Sequence, residues 1–225
     1  MNRFNPEDIT KEIGLLSIYK ASRSKLPRNN INFYSTLSVL SMLIVYAFAS
    51  TESSTTLIEK ARKWAELGFS FSVGILGFLI AGFTIFATVS DKSLFIAMAE
   101  TSHKKSGLSN LKYNFFTLMY VFIIYLAFAI LCLLIQLLGG SSGFISIIFQ
   151  LIVGETYFLL SKRILAGIGI VVIGTWFFYS LMLLQSFIFN IYHIVMTAIS
   201  WAMIEKNDSQ DKSNNQNKSN NQNKS

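Results

Sequence analysis

LGFSFSVGILGFLIAGFTIFATVS, residues 67–90, contains no charged residue and no proline. A helix that crosses a bilayer needs about 20 predominantly apolar residues, and this stretch is long enough. Lipid offers no partner to backbone N–H and C=O groups, so a helix that satisfies its own is the economical solution. The apolar residues run continuously instead of alternating, which argues against a strand of a membrane β-barrel.

Three more uncharged runs flank it: Asn29–Thr51, with an apolar heart from Phe33 to Ala49, Tyr113–Gly154 and Ile164–Ile204. The third breaks at Gly139-Gly140-Ser141-Ser142-Gly143, because glycine gives up the most backbone freedom in a helix. The fourth is about twice as long as one crossing requires. The expected fold is therefore all-α: an integral membrane protein with four transmembrane helices, five possible, at about 31–50, 67–90, 113–138 and 164–188. Residues 31–204 form the membrane domain. Residues 1–30 form a cytoplasmic amphipathic and basic segment, and 205–225 a tail.

The uncertain piece is 144–161, where Ser146, Gln150 and Gly154 make a polar stripe beside Glu155. A fifth span, a re-entrant piece and a helix at the interface all remain open. Charge decides the count of spans, since cytoplasmic loops collect Lys and Arg. With four spans and the N-terminus inside, only Lys60, Arg62, Lys63, Lys162 and Arg163 fall outside. A fifth span would move the four lysines of the tail outside and bring Lys162 and Arg163 inside, a weaker asymmetry. Both termini are therefore expected in the cytoplasm. Ala47-Phe48-Ala49 resembles a signal cleavage site, but the segment before that apolar core is too long for a signal peptide.

Composition agrees with this topology. Of the 225 residues 52% are hydrophobic and only 14% charged, against about 25% charged in a soluble domain. The net charge of +7 lies outside the apolar runs. It reads as a set of topology determinants facing anionic lipid headgroups. No basic stripe is interleaved with exposed aromatics, so direct nucleic-acid binding is not expected. Cys132 is the one cysteine and reads as a small buried hydrophobe. His103 and His193 lack ligand-spaced neighbours, so neither a metal nor another cofactor is expected. No nucleophile–base pair or phosphate-binding loop is visible, and an enzyme is not expected.

Near the N-terminus, Asn5 can cap a helix with Pro6 in its first turn, and Ile9, Ile13 and Leu16 would share a face. Such a helix, followed by basic residues, suits the inner leaflet or the cytoplasmic ends of the bundle. The tail repeats Asn-Asn-Gln-Asn-Lys-Ser at 214–219 and 220–225 and should be disordered. Its Asn-x-Ser sequons read as by-products of that composition.

Two sets of residues inside the spans are candidates for function. Ser70, Gly74, Gly77 and Ala81 are small residues on one face of the second span, where helix backbones can approach closely. They would serve a homo-oligomer interface or packing within the chain. Ser38, Ser41, Gln136, Glu155 and Gln185 are polar residues at depth, which are costly in lipid and usually face a bundle interior or water. They would line a small pore, bond back to their own helices or reach the interface.

The stretch Gly74-Ile75-Leu76-Gly77-Phe78-Leu79-Ile80-Ala81-Gly82-Phe83, the small size and the richness in Phe, Ile, Asn, Lys and Ser resemble a class of bacterial proteins. These are small multi-span inner-membrane proteins of antiphage and prophage systems, such as retron membrane effectors and the membrane subunit of the Kiwa system. The resemblance implies a non-enzymatic effector or sensor of the inner membrane that oligomerises, perturbs or permeabilises the bilayer and works with a cytosolic partner. A membrane scaffold without a pore and a small transporter or immunity protein are the alternatives.

Overall fold

The computed structural model describes residues 11–26, 30–89, 92–103, 106–140 and 143–222, without the side chains of 85–87, 89, 145–159, 205 and 208–222. Six helices follow one another: α1 (Leu15–Lys25), α2 (Asn30–Ala49), α3 (Ser54–Val89), α4 (Lys92–Glu100), α5 (Asn110–Leu138) and α6 (Phe144–Gln222). No strand occurs among the described residues. Four helices, α2, α3, α5 and α6, are long and apolar enough to cross a membrane. The chain is thus an all-α multi-pass membrane protein.

Helices α3, α5 and α6 pack on one another, and α2 packs chiefly on α6. Two layers of core hold the three together. One gathers Leu57, Ala61 and Ala65 with Phe128 and Cys132 and with Ala166, Ile170 and Ile173. The other gathers Leu79, Val121, Tyr125 and Phe187. Gly68 makes the first layer possible, because a β-carbon there would stand 3.0 Å from Phe128 Cζ and 3.1 Å from Cys132 Sγ. Outside these layers, large apolar residues such as Met42, Val45, Phe78 and Leu137 are exposed, as lipid-facing positions must be.

Helix α2 is held to α6 at both ends. Asn32 Nδ2 donates to the Met182 carbonyl at 3.2 Å and to Ser186 Oγ at 2.9 Å. At the other end Arg163 donates to the carbonyl of Ser50, which closes α2, where a cation also suits the negative helix terminus. Between them Gly167 meets Phe48, and Gly174 lets Leu43 and Trp64 approach. The part of α6 that crosses beside α2 is therefore 163–186, about 35 Å at ~1.5 Å per residue. The expected span 164–188 falls inside the longer apolar stretch Leu160–Ile204 of α6 that is suited to a crossing.

The structure departs from the sequence reading in four places. Helix α3 starts thirteen residues before 67, because Leu57, Ala61 and Ala65 recur every fourth residue and are buried while Glu59, Arg62, Lys63 and Glu66 face out. Helix α4 lies where a loop was expected. It leads to a turn in which His103 donates its N–H to the Leu108 carbonyl at 2.7 Å and Gly107 takes a φ of +69°. The first described helix is α1, from Leu15, and the start expected at Asn5 falls outside the described residues. Residues 1–10 are outside the described residues, Ile13 precedes the helix, and the Ser17 hydroxyl closes on the backbone of Gly14. Finally, α6 runs unbroken from Phe144 to Gln222. Residues 144–161 are thus its first turns and no separate helix. Its end covers 207–222, where disorder was expected, and no proline or glycine follows Gly174 to stop it.

Candidate functional site: a polar cavity roofed by α1

Because α2 leans on α6 and not on α5, a gap opens between α2 and α5 at the end of the bundle where both helices begin. Helix α1 covers it. The chain runs alongside the first turns of α5, from the ion pair of Glu12 with Lys112 at 3.0 Å to the stack of Tyr19 on Tyr120 at 5.8 Å. The half-open cavity measures about 710 Å³, within the ~300–1,000 Å³ usual for sites that take small molecules.

Its walls divide by chemistry. Phe33, Leu37 and Leu40 of α2, Ile124 of α5 and Val172 and Trp176 of α6 form an apolar part. Tyr19, Ser22 and Arg23 of α1, Tyr120 of α5 and Thr175 and Tyr179 of α6 form a polar part. The guanidinium of Arg23 donates to the phenol of Tyr120 at 3.3 Å, and Tyr120 shares a hydrogen bond of 3.0 Å with Tyr179. That bond to Tyr120 is the main cause that raises the Arg23 pKa above its ordinary value, so the side chain carries its charge at every working pH. Among the described residues Arg23 has no carboxylate partner. The hydroxyls of Ser22 and Thr175 are buried without a hydrogen-bond partner. The cavity thus joins one cation and several hydroxyls to an apolar slot.

The residues singled out by sequence lie elsewhere. Ser38 and Ser41 are exposed on α2, and Ser41 bonds back to the Leu37 carbonyl at 3.0 Å. Gln136, two residues before the end of α5, donates to the Ala65 carbonyl at 3.3 Å and ties α5 to α3. Gln185 is exposed, and the side chain of Glu155 lies outside the described residues. The four that are described do not converge on one lumen. Ser70, Gly74, Gly77 and Ala81 share one face of α3, and all four are exposed. A β-carbon at Gly74, Gly77 or Gly82 would meet nothing within 4 Å, in contrast to Gly68.

Sequence reasoning missed the cavity residues. Arg23 was visible only as one positive charge among several before the first span. The spacing of Tyr113, Thr117 and Tyr120 on one face of α5 was the available signal, and all three line the cavity. Comparison with protein families, with curated proteins and with solved structures returns no match for this chain.

Proposed function

We propose that this chain is a non-enzymatic membrane effector or sensor that self-associates through α3 and perturbs the bilayer it crosses. The observation that carries this reading is the bare face of Ser70, Gly74, Gly77 and Ala81. Within the spans, small residues earn stability only when another backbone comes close, since lipid provides no hydrophobic drive for helix association. In this chain the glycines of α6 meet Phe48, Ala61, Leu43 and Trp64, whereas Gly74 and Gly77 of α3 meet nothing. A second copy is the partner that such a face fits. The class resemblance to antiphage membrane proteins supports an effector of the bacterial inner membrane with a cytosolic partner. The distribution of Lys and Arg supports termini in the cytoplasm.

The test uses thiols in a Cys132→Ser chain. Gly77→Cys should give oxidative dimers in native membranes. Phe78→Cys and Ile80→Cys, about 80° to either side of the middle of the Ser70–Ala81 face at ~3.6 residues per turn, should give far fewer. Expression of the unaltered chain, with or without phage infection as trigger, should depolarise cells, and Gly74→Leu with Gly77→Leu should abolish both effects. Equal cross-linking at the three positions would overturn self-association through this face. Cross-linking at Gly77→Cys with an unchanged membrane potential would overturn the effector reading and leave a self-associating scaffold.

A further inference from the structure

We propose that the cavity under α1 is a binding site for one anionic phospholipid, whose headgroup lies at Arg23 and one of whose acyl chains occupies the slot between α2 and α5. Three observations converge on it. The first is the charge. Arg23 reaches from α1 to the phenol of Tyr120 on one spanning helix, and Tyr120 in turn shares a hydrogen bond with Tyr179 on another. A cation held beside the ends of spanning helices attracts anionic lipid headgroups. None of the described residues supplies Arg23 with an anion. The fork of a guanidinium suits a phosphate well, and phenol hydroxyls can donate to the remaining oxygens.

The second observation is unmet polarity beside that charge. The hydroxyls of Ser22 and Thr175 are buried with no partner, and each residue lines the cavity. A buried donor left unsatisfied is costly, so a polar ligand that reaches these groups gains what the empty fold forgoes. Thr175 lies deeper than Tyr179 along α6, which places it near a glycerol ester and not near the phosphate.

The third is the shape. Beyond the hydroxyls the wall turns apolar with Phe33, Leu37, Leu40, Ile124, Val172 and Trp176. A chain-free anion such as phosphate would leave this slot unfilled, and a zwitterionic lipid would bring a second positive charge towards Arg23. The order of cation, hydroxyls and apolar slot matches an acidic lipid drawn from the leaflet on the α1 side. Helix α1 then acts as the roof over the headgroup, held to α5 by Glu12–Lys112 and Tyr19–Tyr120.

The experiment uses the full chain, purified in detergent, with phosphatidylglycerol and phosphatidylcholine of the same acyl composition as probes. Native mass spectrometry should count one retained phosphatidylglycerol per protomer and little phosphatidylcholine. Arg23→Gln should lower that retention at least tenfold, which is about 1.4 kcal/mol, while Lys20→Gln and Lys25→Gln leave it within twofold. Leu40→Trp, which fills the slot, should lower it as well. Since Arg23 is exposed and Leu40 half-buried, circular dichroism should show both variants folded. A lipid with brominated acyl chains should quench Trp176 in a Trp64→Phe, Trp201→Phe chain only when its headgroup is phosphatidylglycerol. Three results would each overturn the proposal: equal retention of both lipids, retention unchanged in Arg23→Gln, or displacement of the lipid by glycerol phosphate at equal concentration. The last would mark a site for a free anion.

Discussion

Gly68 of α3 lies directly against the ring of Phe128 on α5, close enough that a β-carbon would stand 3.0 Å from Cζ. Phe128 is fully buried and itself stacks on Trp176 and Phe177 of α6. The ring therefore has nowhere to retreat, and the contact fixes how near α3 and α5 can come. Gly68→Val should overpack this layer and cost about 1–3 kcal/mol. Gly74→Val, six residues on, adds bulk where no atom lies within 4 Å and should leave the stability of the monomer unchanged. Thermal unfolding of the two variants in a monomerising detergent checks the contrast. Equal melting temperatures would show that the α3–α5 distance is not set at Gly68.

A second prediction has the opposite sign. Ser72 lies on the buried face of α3, fully enclosed, and its hydroxyl has no hydrogen-bond partner. Replacing it by alanine removes a polar atom that gained nothing on folding while it leaves most of the volume filled. Ser72→Ala should stabilise the protein by about 1 kcal/mol, read as a higher melting temperature. A lower melting temperature would mean that the hydroxyl finds a partner in the membrane-embedded protein.

Much of this architecture was legible in the sequence because lipid enforces it. The run at 113–138 lies within α5, and those at 31–50 and 67–90 coincide with α2 and the later part of α3 to within one residue at their ends. What escaped was masked by charge. The first turns of α3 carry Glu59, Lys60, Arg62, Lys63 and Glu66, which read as a loop until Leu57, Ala61 and Ala65 are seen to share a buried face. The cavity escaped for another reason. Tyr120 and Tyr179 are 59 residues apart and Arg23 lies 97 residues before Tyr120. Each residue is ordinary in its own helix, and only the pairing of α1, α5 and α6 brings them together. Conversely, the polar residues at 38, 41 and 185 were conspicuous in an apolar sequence yet share no site.

The clasp on α2 gives a third prediction. This helix is the least buried of the four spans, so its two polar ends matter more than they would in a central helix. Asn32→Leu removes both bonds to α6 at one end, and hydrogen bonds inside membrane proteins average about 0.6 kcal/mol, at most about 1.7. Arg163→Leu removes the bond to the Ser50 carbonyl at the other end. Each variant should lower stability by about 1 kcal/mol. The pair together should free α2 enough that limited proteolysis cuts the 50–53 connection faster than in either single variant. Unchanged cleavage in the double variant would show that the apolar contacts at Gly167 and Gly174 hold α2 unaided.

The register of α6 yields the last prediction. Arg163 stands level with the end of α2 and Ser186 with its beginning, so the bilayer must lie between these two positions. Residue 161 then lies at the outer surface and residue 197 on the cytoplasmic side, provided that the excess of Lys and Arg before α2 faces inwards. The continuous helix through 144–161 is the reason for testing this directly, since its apolar composition also suits another crossing. In a Cys132→Ser chain, a thiol at Ser161→Cys should react with a membrane-impermeant maleimide in intact cells. One at Thr197→Cys should react only after the cells are permeabilised. The opposite pattern would place residue 161 inside and mean either that the topology of all four spans is inverted or that α6 is interrupted and 144–161 cross as a fifth span, since one continuous helix cannot cross twice. Reaction of both in intact cells would mean that α6 does not cross between them, and the pairing of α2 with residues 163–186 would then be wrong.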